Sequence, residues 1–160
     1  MQKILTFLFL IIAFTLSSCS DDDEKKPEPC LATNVTMVVN GELQSFQAQG
    51  RGIDAMQDGY RLSINLDRRS NDPYREQTIY IILPYKKTGQ NIIQEFHYRQ
   101  YINGVAFEGD FLDGTFECNI ITNRNTCFYA TFSGKLNDGN QEIIITGGKL
   151  SYQYETPFDN

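Results

Sequence analysis

From Tyr60 onward the chain alternates cleanly between apolar and polar residues. Tyr60, Leu62, Ile64 and Leu66 fall on one side, with Arg61, Ser63, Asn65 and Asp67 on the other. A period of two predicts a half-buried antiparallel strand. Residues 78–83 are apolar at almost every position (Ile79, Tyr80, Ile81, Ile82, Leu83), which predicts a central strand that Pro84 ends. Further on, Phe128, Ala130 and Phe132 alternate with Tyr129, Thr131 and Ser133, and Leu150, Tyr152 and Tyr154 share one face of a closing strand. Residues 33–39 are rich in β-branched side chains and run into Asn40-Gly41, a strong two-residue hairpin signal. The return strand over 42–48 is expected to point Leu43 and Phe46 inward.

Turn chemistry divides the rest. Gly50, Gly52 and Gly59 are expected to interrupt the next segment, with a turn at Gln57-Asp58-Gly59. Residues 68–76 and 85–89 read as loops. Over 91–103, Phe96, Tyr98 and Gln100 would share one strand face and His97, Arg99 and Tyr101 the other, although Ile92, Ile93 and Phe96 also fit a short helix. Asn103-Gly104 and Asp113-Gly114 give two more hairpin signals, and residues 115–121 and 126–136 are expected to pair. Asn137-Asp138-Gly139-Asn140 turns the chain into 142–146 and 149–155. The body contains no convincing helix. The pattern predicts an all-β antiparallel fold of about 8–10 strands, either a β-sandwich or an up-and-down, lipocalin-like barrel.

The first thirty residues follow a different pattern. Lys3 precedes an apolar run over 4–16 that is too short to span a ~30 Å hydrocarbon layer comfortably. Ser17 and Ser18 then lead into Cys19. Leu16-Ser17-Ser18-Cys19 resembles the lipobox of bacterial lipoproteins. The resemblance implies cleavage before Cys19, a diacylglyceryl thioether on its sulfur and an acylated new N-terminus, so that several chains hold the protein to the membrane. Residues 20–29 hold five acids, two lysines and two prolines with no apolar side chain, as a solvated tether would. Ten extended residues reach at most ~35 Å. The acidic run after the cysteine resembles the surface-export signal of Bacteroidota lipoproteins, which implies an outer-membrane protein facing the exterior. Within the body, Val39-Asn40-Gly41-Glu42, the stretch 130–136 and the stretch 143–150 are similar to small Bacteroidota outer-membrane lipoproteins of uncharacterised function. Leu150 stands where that pattern has Phe, and the family supplies no catalytic residue to carry over. The expected division is a signal peptide over 1–18, lipidated cysteine and tether over 19–30, and one all-β domain over 31–160.

Charge narrows the partners. The chain has 14 basic and 20 acidic side chains and a net charge of −6. An acidic body argues against nucleic acid, whose binders need basic patches. With Cys19 assigned to lipid, Cys30, Cys118 and Cys127 remain, an odd number for an oxidising compartment. Cys118 and Cys127 flank a turn-like stretch and are the favoured disulfide; Cys30 with either of them is the alternative. There is no CxxC spacing and one histidine, so neither a metal nor a cofactor is expected.

The search for catalysis is empty. His97 has no nucleophile-elbow pattern beside it. Asp110, Asp113 and Glu117 lie around a turn, where aspartate serves the backbone. Asn137-Asp138-Gly139-Asn140 lacks the spaced loop of a calcium site. Tyrosine is abundant, and Tyr74, Tyr85, Tyr98 and Tyr101 form the candidate binding surface, since a flat ring with a polar tip suits sugars and proteins. Absence of tryptophan weakens the sugar reading. The sequence therefore points to a non-catalytic, membrane-anchored module for a glycan, a protein or a small apolar ligand. Its alternatives are a lipocalin-like carrier and an accessory subunit of an outer-membrane assembly.

Overall fold

In the computed structural model, which describes residues 29–69, 75–111 and 114–159, every regular element is a strand. They are β1 (Asn34–Val39), β2 (Glu42–Met56), β3 (Gly59–Arg69), β4 (Arg75–Pro84), β5 (Gly89–Gln90), β6 (Glu95–Ile102), β7 (Val105–Phe111), β8 (Glu117–Asn123), β9 (Cys127–Asn137) and β10 (Glu142–Gln153). All pairings are antiparallel. The order β1-β2-β3-β4-β6-β7-β9-β10 closes on itself because β10 also pairs with β1, giving an eight-stranded barrel. Of the two architectures the sequence allowed, this is the barrel. β8 and β5 form a branch on the flank of β9. Closure at the β7–β9 seam rests on two registered pairs, Asp110 with Asn137 and Phe111 with Leu136.

β7 and β8 do not form a hairpin around Asp113-Gly114. Both pair with β9, β7 at Leu136 and Asn137 and β8 from Ser133 to Phe128, so they follow each other along one line. Phe116, between them, lies over Gly134. A methyl group on Gly134 would come within 2.7 Å of the Phe116 Cα, so only glycine fits there.

β2 runs through Gly50 and Gly52 instead of breaking. Its register slips by one residue between Ala48 and Gly50. Glycines at such a bulge let a long strand bend around a barrel. Leu43 is 69% exposed while Phe46 is buried. The two are three residues apart, and an unbulged strand cannot turn both inward. Leu43 pairs with Val38 and Phe46 with the inward Val35, so Gln44 takes the inner position.

One continuous core fills the barrel. Met37, Leu62, Ile64, Leu66, Ile79, Ile81, Leu83, Phe96, Tyr98, Phe107, Ile120, Phe128 and Leu150 all lie within it, each at most 1% exposed. Phe96, Phe116 and Phe132 pack together with centroids 5.2 to 6.4 Å apart. Tyr98 is inside because it shares the inward parity of Phe96. Its hydroxyl accepts from Gln77 Nε2 at 2.8 Å and donates to Gln100 Oε1 at 3.0 Å. Burial pushes that hydroxyl up to about 12, so it stays protonated.

The C-terminal segment closes one end. Tyr85, Tyr154 and Phe158 meet edge to face there. The Arg51 guanidinium lies 4.4 Å from the Tyr154 and Phe158 centroids and donates to the Thr156 carbonyl. The Asn123 amide ties the 84–87 loop to this end by donating to the carbonyls of Pro84 and Lys87.

The disulfide joins Cys30 to Cys127, with Cα atoms 5.9 Å apart, and Cys118 is a free, buried thiol. The expected Cys118–Cys127 bridge fails on register. Cys118 lies opposite Phe132 on β9, five residues from Cys127. At ~3.3 Å per residue that is about 16 Å, well beyond the ~7 Å limit between bridged Cα atoms.

Candidate functional site

A cleft of about 540 Å³ lies on the outer face of β8, β9 and β10 and is edged by β5. Strand pairing builds it in rows. Gln90, Asn119, Thr131 and Lys149 stand opposite one another across β5, β8, β9 and β10. Glu117 and Ser133 form the adjoining pair. Residues directly opposite on neighbouring strands present their side chains on the same face, and the inward partners on these strands are Cys118, Ile120, Ala130, Phe132 and Leu150. The outer face is therefore carboxamide, hydroxyl, carboxylate and ammonium.

Two local features make this a cleft and not a flat sheet. The β9–β10 register shifts between Ile145 and Gly148, and Gly147 turns there with φ of 58°. Gly148 lies so close to Phe132 that a Cβ would sit 2.5 Å from its ring. With no side chain at either glycine, the floor drops to the edge of Phe132. The rim is braced by Asn91, whose amide donates to the Cys118 carbonyl and whose Oδ1 accepts from the Cys118 amide, each at 2.9 Å. Asn91 has φ of 53°, a conformation asparagine tolerates better than most residues.

The tyrosines expected to form a binding surface do not come together. Tyr98 is wholly interior and Tyr85 is part of the end closure, each with its ring packed in the core. Tyr101 is 40% exposed on β6, and Tyr74 lies outside the described residues, as do Cys19 and Asp113. Asp138 holds its own turn. Its Oδ1 accepts from the backbone amides of Asn140 and Gln141 at 2.8 and 2.7 Å, which lowers its pKa. Among the described residues no group of three or more His, Cys, Asp or Glu side chains could hold a metal ion.

His97 sits on the barrel exterior between two carboxylates. Its Nδ1 is 2.7 Å from Asp110 Oδ1 and its Nε2 is 3.0 Å from Glu108 Oε1. Only the imidazolium can donate to both at once. Burial pushes its pKa down, but the hydrogen bonds and charges of Asp110 and Glu108 outweigh that and leave it raised. A group whose pKa rises on folding stabilises the fold below its unfolded value, and that contribution disappears as pH climbs through the folded value. The stability advantage of the native chain over His97→Gln is therefore largest below pH 6.5 and fades above it. Urea midpoints of both proteins across that range check this; a gap that is constant or widens with pH contradicts it.

The cleft was not among the sequence-level candidates. Its one local signal is the Gly147-Gly148 pair in an otherwise alternating strand, which marks a bulge or a close approach. No family model, no curated protein and no solved structure matches this chain.

Proposed function

We propose that this protein is a lipid-anchored envelope module that binds a ligand or partner without transforming it, through the outer-face cleft of β8–β10. The cleft is the observation that carries the reading: its hydrogen-bonding groups stand in register on a rigid sheet whose other face is core. Binding groups on rigid elements keep their geometry without an ordering penalty. The anchor is the reading of Leu16 to Cys19 and its acidic follow-on. It is supported by the Cys30–Cys127 bridge, which ties the tether's exit to the start of β9 and is at home in an oxidising compartment.

A closed barrel also suits a carrier of a small apolar ligand. The filled interior and the aromatic closure at one end favour the outer face instead.

Asn119→Arg tests the assignment by filling the cleft from an exposed position. Full-length chain in liposomes is incubated with polymer fractions of the cell envelope and growth medium. Retention of the bound fraction should fall by about tenfold or more in the variant, as for loss of a central contact. Unchanged retention, or chemical conversion of what is bound, contradicts the proposal.

A further inference from the structure

We infer that the cleft is built for a neutral, polyhydroxylated ligand, that is, a short stretch of uncharged glycan; this rests on the cleft being the binding site. The first argument is the donor and acceptor balance. Gln90, Asn119, Thr131 and Ser133 can each donate and accept. A sugar hydroxyl does both and is best matched by groups that do both. Carboxamides and hydroxyls repeat across the strands at the ladder spacing of ~4.8 Å, so the face spans about 10 Å from β8 to β10.

Charge gives the second argument. The cleft holds one carboxylate, Glu117, and one ammonium, Lys149, on the strands flanking β9. An anionic chain lying across the face would meet Glu117, and a cationic one Lys149. Both groups hydrogen-bond well to an uncharged hydroxyl.

The remaining ligand classes fit poorly. An apolar molecule meets no well-exposed apolar side chain in the cleft, because Phe132 in the floor is only 3% exposed and Cys118 5%. A peptide adding itself as a strand needs a free sheet edge. β9 is paired on both flanks, β10 is paired by β9 and β1, and β5 with Asn91 covers β8 at Cys118, Asn119 and Ile120. The edge left open beside the cleft is that of the two-residue β5, too short to template a strand, and recognition falls to the side chains.

The test is an array of neutral oligosaccharides of glucose, mannose, galactose and xylose, with heparin fragments and unstructured peptides as comparators. Full-length protein in detergent is applied, and hits are followed by calorimetry. A neutral oligosaccharide should bind, Asn119→Ala should weaken it by about tenfold, and Asn65→Ala on the opposite wall should leave it within about twofold. Binding of heparin fragments or peptide alone, lost in the Asn119 variant, overturns the ligand class and leaves the cleft as the site. Neutral binding indifferent to Asn119→Ala and Asn119→Arg overturns both. No binding to any probe overturns the inference, while the polymer-retention experiment still judges the site.

Discussion

Replacing Cys30 and Cys127 together by serine lowers the stability of the fold by about 3–5 kcal/mol. The bridge spans 97 residues of chain, and on the chain-entropy view a closed loop of that size removes about 4.7 kcal/mol of freedom from the unfolded state. The segment before β1 has few other holds. Thr33 Oγ1 meets the Gln153 backbone, and the Ser151 hydroxyl donates to the Ala32 and Asn34 carbonyls. Urea denaturation of the double variant should show the loss, and the native chain in excess dithiothreitol should match it. Cys118→Ser serves as the control, since Cys118 is unbridged. A double variant within about 1 kcal/mol of the native chain would contradict the placement of the bridge.

The second large effect is Phe132→Ala. Phe132 is buried under the cleft floor, in ring contact with Phe96 and Phe116 and pressed against Gly148. Truncating a core phenylalanine typically removes 3–5 kcal/mol, part of it as the cavity left behind. Asn119→Ala, on the other face of the same sheet, should change stability by about 0.5 kcal/mol or less. Ligand binding should show the opposite asymmetry under conditions where both variants are folded. Thermal and chemical unfolding measure the first half and calorimetry the second. A Phe132→Ala variant as stable as Asn119→Ala would mean the sheet faces are assigned wrongly.

How far the fold could be read from sequence depended on whether one face meets water. Between Leu62 and Leu66, and again between Phe128 and Ser133, core lies on one side and solvent on the other, so alternation is legible, whereas Tyr60 at the strand's start shares their parity but is exposed. At 91–103 the same parity places Phe96 and Tyr98 inward, against the competing helical spacing. Applied strictly, parity would also have removed Tyr98 from the binding surface and separated Leu43 from Phe46. The disulfide was partly legible too. With Asn123 opposite Phe128, counting back along β8 brings Cys118 to Ser133, or to Phe132 once the bulge after Ile120 is included, and either is far from Cys127.

The barrel's closure was not legible. It depends on Asp110 finding Asn137 and on β10 finding β1, pairings that no local turn dictates. The cleft was hidden for the same reason. Gln90, Asn119, Thr131 and Lys149 are distant in sequence, unremarkable singly, and neighbours only once the register is set. Asp113-Gly114 misled because a good turn dipeptide can serve an excursion between collinear strands as well as a hairpin.

The central claim is that this module is displayed on the cell and engages its ligand through one wall of the barrel. A diazirine amino acid placed at the exposed Thr146 of β10, beside Gly147 on the cleft rim, and in a second strain at the exposed Asn65 of β3 on the opposite wall, tests it on intact cells. After illumination, the rim position should give cross-linked adducts that excess soluble ligand or a second Asn119→Arg change suppresses, and position 65 should give none. Adducts from position 65 alone, or equally from both, would contradict the account.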